Sequence, residues 1–358
     1  MKKFILLIFS LITQLTFAQS ENEKKPLIFS GYLESYFSYD FNNPTSGTRP
    51  NFIYSHNRHN ELTINLAFIK AAYQQNNVRA NLSLATGSYM NANLASEPGV
   101  LKNIYEANVG VQLSQKLNLW LDAGIFSSHI GFESAISKDC WTLTRSIMAD
   151  NSPYYESGIK VTYLAPNKKW LLSGLLLNGW QRIQRIDGNS TLALGHQLTF
   201  TPNKKITINS SSFIGNDKPD STKLMRYFHN WYGIFQLSKK VAFTAGFDLG
   251  FEQKNKNSAD FYQWYSTVLI LKISPTSRSN IVGRVEYYSD PNGIIISNTS
   301  PQGFQTWSYS INYDYSITEN TTWRIEGRKF TGNNDTFHRL EKLVSDDFTM
   351  TTSLAISF

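Results

Sequence analysis

Stretches in which apolar and polar residues alternate strictly recur along most of this chain. Segment 241–253 reads VAFTAGFDLGFEQ, with Val, Phe, Ala, Phe, Leu and Phe on one side and small or acidic residues on the other. Segments 77–87, 104–114 and 306–316 show the same alternation, and so does the final stretch, 348–358. Because successive side chains of a strand point to opposite faces, each segment predicts a β-strand with one apolar and one polar face.

The connections between these strands alternate between short and long. Seven short ones, rich in the Pro, Asn, Ser and Lys of tight turns, lie at 74–77, 115–117, 166–169, 202–205, 238–240, 275–279 and 317–320. Eight longer ones lie near 42–59, 89–103, 127–154, 181–190, 216–226, 253–260, 290–303 and 331–346. Fifteen connections predict about sixteen strands. Short turns on one rim and long loops on the other are typical of an outer-membrane barrel.

Composition favours strands over helices as membrane-crossing elements. Aromatic residues are 14% of the chain, and charged residues are 17%, below the roughly 25% usual for soluble domains. The longest apolar run, WLLSGLLLNGW, is far shorter than the roughly 20 residues of a spanning helix. We predict an all-β fold, a transmembrane antiparallel up-and-down β-barrel of about 16 strands. The alternative, a secreted sandwich or propeller, would need polar residues where Phe, Leu and Trp stand.

The beginning of the chain, MKKFILLIFSLITQLTFAQS, is typical of a secretory signal peptide, with two lysines, an apolar stretch and a small-residue cleavage site. A membrane anchor is the alternative, but about 14 apolar residues fall short of a span. We expect a cleaved signal peptide at 1–18, a short periplasmic segment at 19–26 and the barrel at 27–358, in the cell outer membrane. Removing the leader lowers the formal net charge of +7 by two.

The last strand ends on Phe358 itself. Unpaired backbone groups are intolerable in lipid, so this strand must pair with the first one. A terminal aromatic resembles the C-terminal signature of bacterial outer-membrane barrels, which the barrel assembly machinery reads. We therefore predict that Phe358 is both an interfacial aromatic and an assembly signal, and that the partners include outer-membrane lipids and this machinery.

Several stretches resemble the OmpL-like outer-membrane β-barrel porin family of Gram-negative bacteria. They are DAGIFSSHIGFESAISKDCWTLTRS, NSPYYESGIK, LNGWQRIQR, IGNDKPDS with MRYFHNWYGIFQL, and the ending TTSLAISF. The resemblance runs over the whole mature chain. It implies an outer-membrane pore-forming protein, and it supplies no catalytic or ligand residue.

Charged residues on the polar faces are candidates for lining a pore, because charged rings set ion selectivity. The candidates are Glu34, Arg79, Glu106, Asp122, Lys160, Asp248, Arg284, Glu286, Arg324, Glu326 and Arg328. Structural ion pairs between neighbouring strands are the alternative for each, above all for Arg284 with Glu286 and for the set Arg324, Glu326 and Arg328.

The long connection 127–154 carries more apolar residues than a solvated loop needs. Loops of this length are usually functional. We predict that it folds into the barrel and narrows the lumen; packing over the rim or against a neighbouring subunit is the alternative. The charges predicted to face the narrowed lumen or its mouth are Lys138, Arg145 and Asp150 of this loop and Arg182 and Arg185 of the next.

Signals for catalysis or a cofactor are weak. His56, His59 and Glu61 have a spacing that could reach one metal, with a polar loop rim as the alternative. Ser128 and His129 are adjacent, but no G-x-S-x-G elbow accompanies them. No phosphate-binding loop, dinucleotide fingerprint or nucleic-acid module is present in the sequence. We expect no enzyme, no cofactor and no nucleic-acid partner.

The function predicted is that of a porin, a water-filled channel for passive diffusion of small hydrophilic solutes or ions. The positive net charge favours weak anion selectivity. The alternative is a structural or adhesion barrel that only displays its loops. Assembly into a homo-oligomer is left open.

Overall fold

Sixteen antiparallel strands close into one barrel in the computed structural model, which describes residues 26–297 and 302–358. The barrel strands are β1 (Leu27–Asp40), β2 (Leu62–Gln75), β3 (Val78–Thr86), β4 (Ile104–Ser114), β5 (Leu119–Ser127), β6 (Tyr155–Leu164), β7 (Trp170–Leu177), β8 (Ala193–Asn203), β9 (Ile206–Asn216), β10 (Met225–Gln236), β11 (Val241–Gln253), β12 (Phe261–Ile273), β13 (Ser279–Asp290), β14 (Phe304–Ser316), β15 (Thr321–Gly332) and β18 (Asp346–Ser357). Each strand pairs with its neighbours in chain order, and β18 pairs with β1. The predicted fold class and strand number are confirmed.

All seven short turns lie on one rim of the barrel and all eight long loops on the other, because the strands alternate in direction. The loops are L1 (41–61), L2 (87–103), L3 (128–154), L4 (178–192), L5 (217–224), L6 (254–260), L7 (291–303) and L8 (333–345). The proposed signal peptide, 1–18, and nearly all of the segment 19–26 lie outside the described residues.

The outward face of the barrel is apolar and aromatic. Along β14, Trp307, Tyr309 and Ile311 point outward and are 41%, 45% and 66% exposed. The alternate residues Ser308 and Asn312 point inward and are buried. An exposed apolar band of this kind requires a lipid environment, as the alternation predicts.

Strand β7 accounts for the longest apolar run of the sequence. Its inward side chains Leu175 and Leu177 are buried in an interior cluster with Phe213, while Leu172 and Leu176 face outward. Both faces are therefore apolar, which hides the alternation in the sequence. No helix among the described residues is long and apolar enough to cross a membrane.

The loops contain structure that the sequence did not predict. Helix α1 (Ser88–Asn93) lies in L2 and helix α2 (Ile147–Asp150) in L3. L8 contains a small hairpin of β16 (Phe337–Arg339) and β17 (Lys342–Val344). These elements are only three to six residues long. They are too short to show a periodic pattern.

Phe358 lies at the seam between the first and last strands. Its backbone N–H donates to Gly31 O at 3.0 Å, and Gly31 N–H donates to Phe358 O at 2.7 Å. The Phe358 side chain is 71% exposed. This geometry suits the predicted interfacial aromatic, and its role in assembly stays a prediction.

Candidate functional site: the barrel interior and loop L3

Loop L3 folds into the barrel and binds the inner wall through its backbone. Leu143 N–H donates to Asn312 Oδ1 at 3.0 Å, and Thr144 N–H donates to Glu326 at 2.6 Å. Ile147 N–H donates to Glu286 at 2.6 Å. Backbone groups taken out of water need such partners. The inward-facing polar side chains of β13–β15 supply them.

Arginines of the same strands bind the carbonyl groups of L3. Arg324 donates to Ser137 O at 2.5 Å, and Arg328 donates to Arg145 O at 2.8 Å. Arg284 donates to Thr144 O at 2.8 Å. We call Arg284, Glu286, Arg324, Glu326 and Arg328 the arginine wall.

Ion pairs cross-link the arginine wall beneath the loop. Arg284 pairs with Glu326 at 2.7 Å, and Arg328 pairs with Glu286 at 2.6 Å. Arg324 pairs with Asp314 at 2.6 Å. All five members of the wall are at most 2% exposed. The sequence predicts these residues as pore-lining, with structural ion pairs as the alternative. The structure shows the ion pairs and places these residues under L3, where they hydrogen-bond its backbone.

The segment of L3 around Ser137 is held at the barrel seam. Ser137 Oγ donates to Glu34 at 2.5 Å, and Tyr32 Oη lies 2.9 Å from the same hydroxyl. His56 of L1 contacts Glu34 at 3.1 Å. Lys138 Nζ donates to the hydroxyl of Ser357. L3 is thus attached to β1 and β18 as well as to the arginine wall.

The beginning of L3 is anchored on the opposite side of the barrel. His129 lies between Glu156 of β6, at 2.9 Å, and Ser212 O of β9, at 2.8 Å. Gly131 N–H donates to Asn230 Oδ1 at 3.2 Å. Asn230 in turn donates to Asp248 at 2.5 Å. L3 therefore crosses the interior from β6–β10 to β13–β18.

Arg145 stabilises the loop from within. Its guanidinium donates to the carbonyl oxygens of Ser134 at 2.5 Å, Leu143 at 2.7 Å and Ala135 at 3.3 Å, and its side chain is fully buried. The sequence predicts that Arg145 faces the lumen. It is instead enclosed by the loop, because three carbonyl groups lie within its reach.

Four other predicted pore-lining residues, Arg79, Glu106, Asp122 and Lys160, lie on strands β3–β6, where L3 does not hold them. Lys70 of β2, which the sequence analysis did not single out, joins them. Arg79 pairs with Asp122 at 2.5 Å, and Lys70 pairs with Glu106 at 2.5 Å. Lys160 stands 4.4 Å above the ring of Phe126. We call Lys70, Arg79, Glu106, Asp122 and Lys160 the uncovered wall. Within the described chain no hydrogen bond or ion pair joins these five side chains to L3.

The uncovered wall differs from the arginine wall in exposure and in charge balance. The side chains of Lys70 and Arg79 are 29% and 31% exposed. Lys160 makes no ion pair with any described residue, although the arginines of the other wall are all paired. The uncovered wall thus contains a cation, Lys160, that lies opposite Asp122 in the β5–β6 pairing and that no described carboxylate holds in an ion pair.

A cavity of about 340 Å³ opens among L1, L2, L3, L4 and L7. Asp150, Arg182 and Arg226 line it. Arg226 pairs with Glu252 at 2.6 Å, whereas Arg182 Nε has no partner in the described residues. Of the two loop arginines that the sequence predicts at the mouth, Arg182 lines this cavity. Arg185 donates to Ser190 O within L4 and is not part of the cavity lining.

The side chains of the possible metal cluster in L1 have separate partners. His56 contacts Glu34, His59 Nδ1 accepts from Asp40 N–H at 3.0 Å, and Glu61 pairs with Arg58 at 2.8 Å. The metal hypothesis for these three residues is wrong, since their side chains do not converge. No group of three metal-binding side chains occurs in the part of the chain that the structure describes.

The anchor residues Glu156, Asn230 and Asn312 were not predicted as site residues. Each is an inward-facing polar residue of a strand, so the alternation could have placed it on the interior face. Their bonding to L3 has no sequence signal, because the partners lie 27 to 169 residues away along the chain.

The family model described as "Putative beta-barrel porin-2, OmpL-like" matches residues 26–358. No curated protein matches the chain.

Three solved structures of outer-membrane proteins and porins are similar. OprB of Pseudomonas putida is 8% identical, with a TM-score of 0.62 over 93% of this chain and 94% of that one. The anion-selective porin from Comamonas acidovorans is 7% identical, with a TM-score of 0.60 over 93% and 99%. The trimer form of OmpT, an outer membrane protein of Vibrio cholerae, is 9% identical, with a TM-score of 0.59 over 93% and 99%. At these identities the likeness shows a shared fold.

Asp150 of L3 couples the stability of the protein to pH. Burial raises the pKa of its carboxyl group from 3.8 to about 7. Only Oδ1 has a described partner, the Tyr154 hydroxyl at 3.3 Å, and Oδ2 has none. The folded state thus binds a proton that the unfolded state has released above about pH 4. Stability is lost as the pH rises toward 7 and the buried carboxyl group ionises.

We predict that Asp150→Asn raises the thermal unfolding midpoint at pH 8 and changes it little at pH 4. The reason is that the amide removes the cost of ionising a buried acid, on the order of 1–4 kcal/mol. Heat-modifiability on gels, measured from pH 4 to 8, reports the midpoint. Asp187→Asn, at an exposed position in L4, is the control. A loss of stability in Asp150→Asn at pH 8 would contradict this account.

Proposed function

The chain belongs to the OmpL-like β-barrel porin family, and we propose that it conducts small hydrophilic solutes or ions by passive diffusion through a lumen that L3 narrows. The family and its structural neighbours are porin barrels of the outer membrane. The observation that carries the proposal is the asymmetry of the interior. L3 is bonded to the arginine wall and the seam, while the uncovered wall keeps charged, partly exposed side chains.

The proposed route follows the uncovered wall from the loop rim toward the short turns. The loop rim is extracellular in outer-membrane barrels, and the short turns are periplasmic. Arg79 stands directly beside the turn at 76–77, so its pair with Asp122 lies near the periplasmic end. Charged side chains along one wall suit hydrated ions and polar solutes.

Weak anion preference is part of the proposal. Lys160 is held in no described ion pair, and the Nε of Arg182 at the loop cavity has no described hydrogen-bond partner. The Comamonas acidovorans neighbour is described as anion-selective.

We include three further points in the same proposal. The protein is not an enzyme, its signal peptide is cleaved, and the assembly machinery recognises Phe358.

The competing proposal is a barrel that displays its loops and does not conduct. The full burial of the arginine wall supports it, since much of the interior is filled. Conductance in a planar bilayer separates the two proposals.

We predict that replacing residues 132–148 with a short glycine linker raises single-channel conductance at least about twofold, because it removes the part of L3 that crosses the lumen. The variant is first checked for the heat-modifiable folded form. Phe132→Ala, which trims one apolar contact of the loop, is the matched control and should change conductance little. A folded deletion variant with unchanged conductance would show that L3 does not restrict the pore.

We predict that Lys160→Gln lowers the anion preference, because it removes the unpaired cation of the uncovered wall. The reversal potential in a salt gradient measures this preference. Lys169→Gln, in the exposed turn between β6 and β7, is the control for net charge. If the native protein and Lys160→Gln have the same reversal potential, Lys160 does not belong to the conducting path.

A polar patch on the outward wall supports self-association. His196 Nδ1 lies 2.5 Å from Ser212 Oγ, and Ser210 Oγ lies 2.8 Å from His229 Nε2. The patch is surrounded by exposed apolar residues, Leu194, Leu198, Ile208 and Ile214. Polar groups are costly against lipid chains, and they are better covered by another protein surface.

We propose that a second copy of the chain covers this patch, as an oligomer of the kind named for the trimeric neighbour. The double variant His196→Leu, His229→Leu should stay folded and shift toward monomer, because leucine is stable against lipid. Chemical cross-linking in native membranes measures this shift. The variant Ile311→Ala, on the outward face of β14 and away from the patch on β8–β10, should keep the native pattern. Cross-linking that is unchanged in the double variant would contradict the interface.

A further inference from the structure

A cavity of about 520 Å³ opens at the loop rim beside the seam, between L1, L7 and L8. Asp40 and Asp347, at the ends of β1 and β18, line it together with Arg49 of L1 and Thr336 of L8. It is separate from L3: none of the L3 residues is in its lining.

Two carboxyl groups meet in this cavity. Asp40 lies opposite Thr349 in the pairing of β1 with β18, and Asp347 precedes Thr349 by two residues on the same inward face. The two side chains are diagonal neighbours in the β1–β18 pairing and line the same cavity. Asp40 and Asp347 are 2% and 1% exposed. No lysine or arginine nitrogen in residues 26–297 and 302–358 lies within ion-pair distance of either carboxyl group, and Arg49 is the cation whose charge acts on Asp347 from further away.

Hydrogen-bonding capacity remains unused on both carboxyl groups. Asp40 Oδ1 accepts from Asn42 N–H at 2.8 Å. Neither oxygen of Asp347 has a hydrogen-bond partner among the described residues. Two adjacent buried carboxylates need a cationic group or a shared proton between them.

Arg49, which lines the same cavity, has hydrogen-bond donors that lack acceptors. Its Nη2 donates to Thr349 Oγ1 at 3.1 Å, which holds the guanidinium in place. Its Nε and Nη1 have no described partner, although the residue is only 3% exposed. Unpartnered buried donors of this kind are rare in native proteins, and they call for a partner.

We propose that this cavity binds a small zwitterion of the α-amino acid class, with its ammonium group between Asp40 and Asp347 and its carboxylate on Arg49. The ammonium group supplies the donors and the positive charge that the acid pair needs. The carboxylate accepts from the free guanidinium nitrogens. The volume lies within the usual range of small-molecule sites, about 300–1,000 Å³.

Other ligand classes satisfy only half of the site. A metal cation would neutralise the carboxylates, yet it would leave the Arg49 donors unpartnered and would face their positive charge. A simple anion would pair with Arg49 and be repelled by the two aspartates. Both ends of the site are satisfied only by a molecule that carries both charges a few ångströms apart.

Binding is tested on the full-length barrel in detergent by isothermal titration calorimetry. The ligand series is L-alanine, L-lactate, which lacks the ammonium group, and ethylamine, which lacks the carboxylate. We expect saturable binding of alanine and at least about tenfold weaker binding of either analogue. Because no current is measured, the result is independent of the porin proposal. Equal binding of alanine and an analogue, or no binding of alanine to folded protein, would overturn the inference.

Variants then assign the binding to the cavity. Asp347→Asn and Arg49→Gln should each weaken alanine binding by about tenfold or more. Asp346→Asn is the matched control: Asp346 is the adjacent residue, half exposed and paired with Arg339 at 3.3 Å, outside the cavity lining. Unchanged affinity in Asp347→Asn, or calcium binding that this variant abolishes, would contradict a zwitterion site. If the variants do not fold, the ligand series alone decides.

Discussion

Every other feature of this protein depends on the pairing of β1 with β18. A sheet of sixteen strands with two open edges would expose two rows of backbone N–H and C=O groups to lipid, which cannot hydrogen-bond them. The seam removes both edges, and the mutual hydrogen bonds of Gly31 and Phe358 continue it to the last residue. Once the sheet is closed, the apolar faces are committed to lipid and the polar faces to an interior.

That interior creates a second demand for hydrogen bonds. Any loop that enters the barrel brings backbone groups that have lost water. L3 enters the barrel, and its backbone groups form hydrogen bonds with Glu286, Glu326 and the arginines around them. The bonds that stabilise the loop also bury the charged side chains of the arginine wall. The partly exposed charged side chains therefore lie on the uncovered wall. The conducting path that we propose is thus a consequence of where L3 finds partners.

Much of the fold could be predicted from the sequence, because alternation reports directly on which face each residue occupies. The alternation of 306–316 and 241–253 predicted β14 and β11, and the spacing of turns predicted the strand number. The alternation does not report what covers an inward face. Arg284 and Lys160 look alike in sequence, as inward charges on strands, yet Arg284 is enclosed by L3 and Lys160 has no described bond to it. Arg145 shows the same limit, since its three carbonyl partners depend on how L3 folds.

The most direct test of the two-wall account is the accessibility of single cysteines to a water-soluble thiol reagent during bilayer recording. The chain has one cysteine, Cys140, so Cys140→Ser provides the background. Asn81→Cys, on the inward face of β3 beside Asn108, places a thiol on the uncovered side. Ser308→Cys places one beneath L3, where Ser308 accepts from Arg328 at 2.9 Å. The account predicts that a charged methanethiosulfonate reduces the current through Asn81→Cys and leaves the current through Ser308→Cys unchanged; rapid modification of Ser308→Cys with Asn81→Cys unaffected would contradict it.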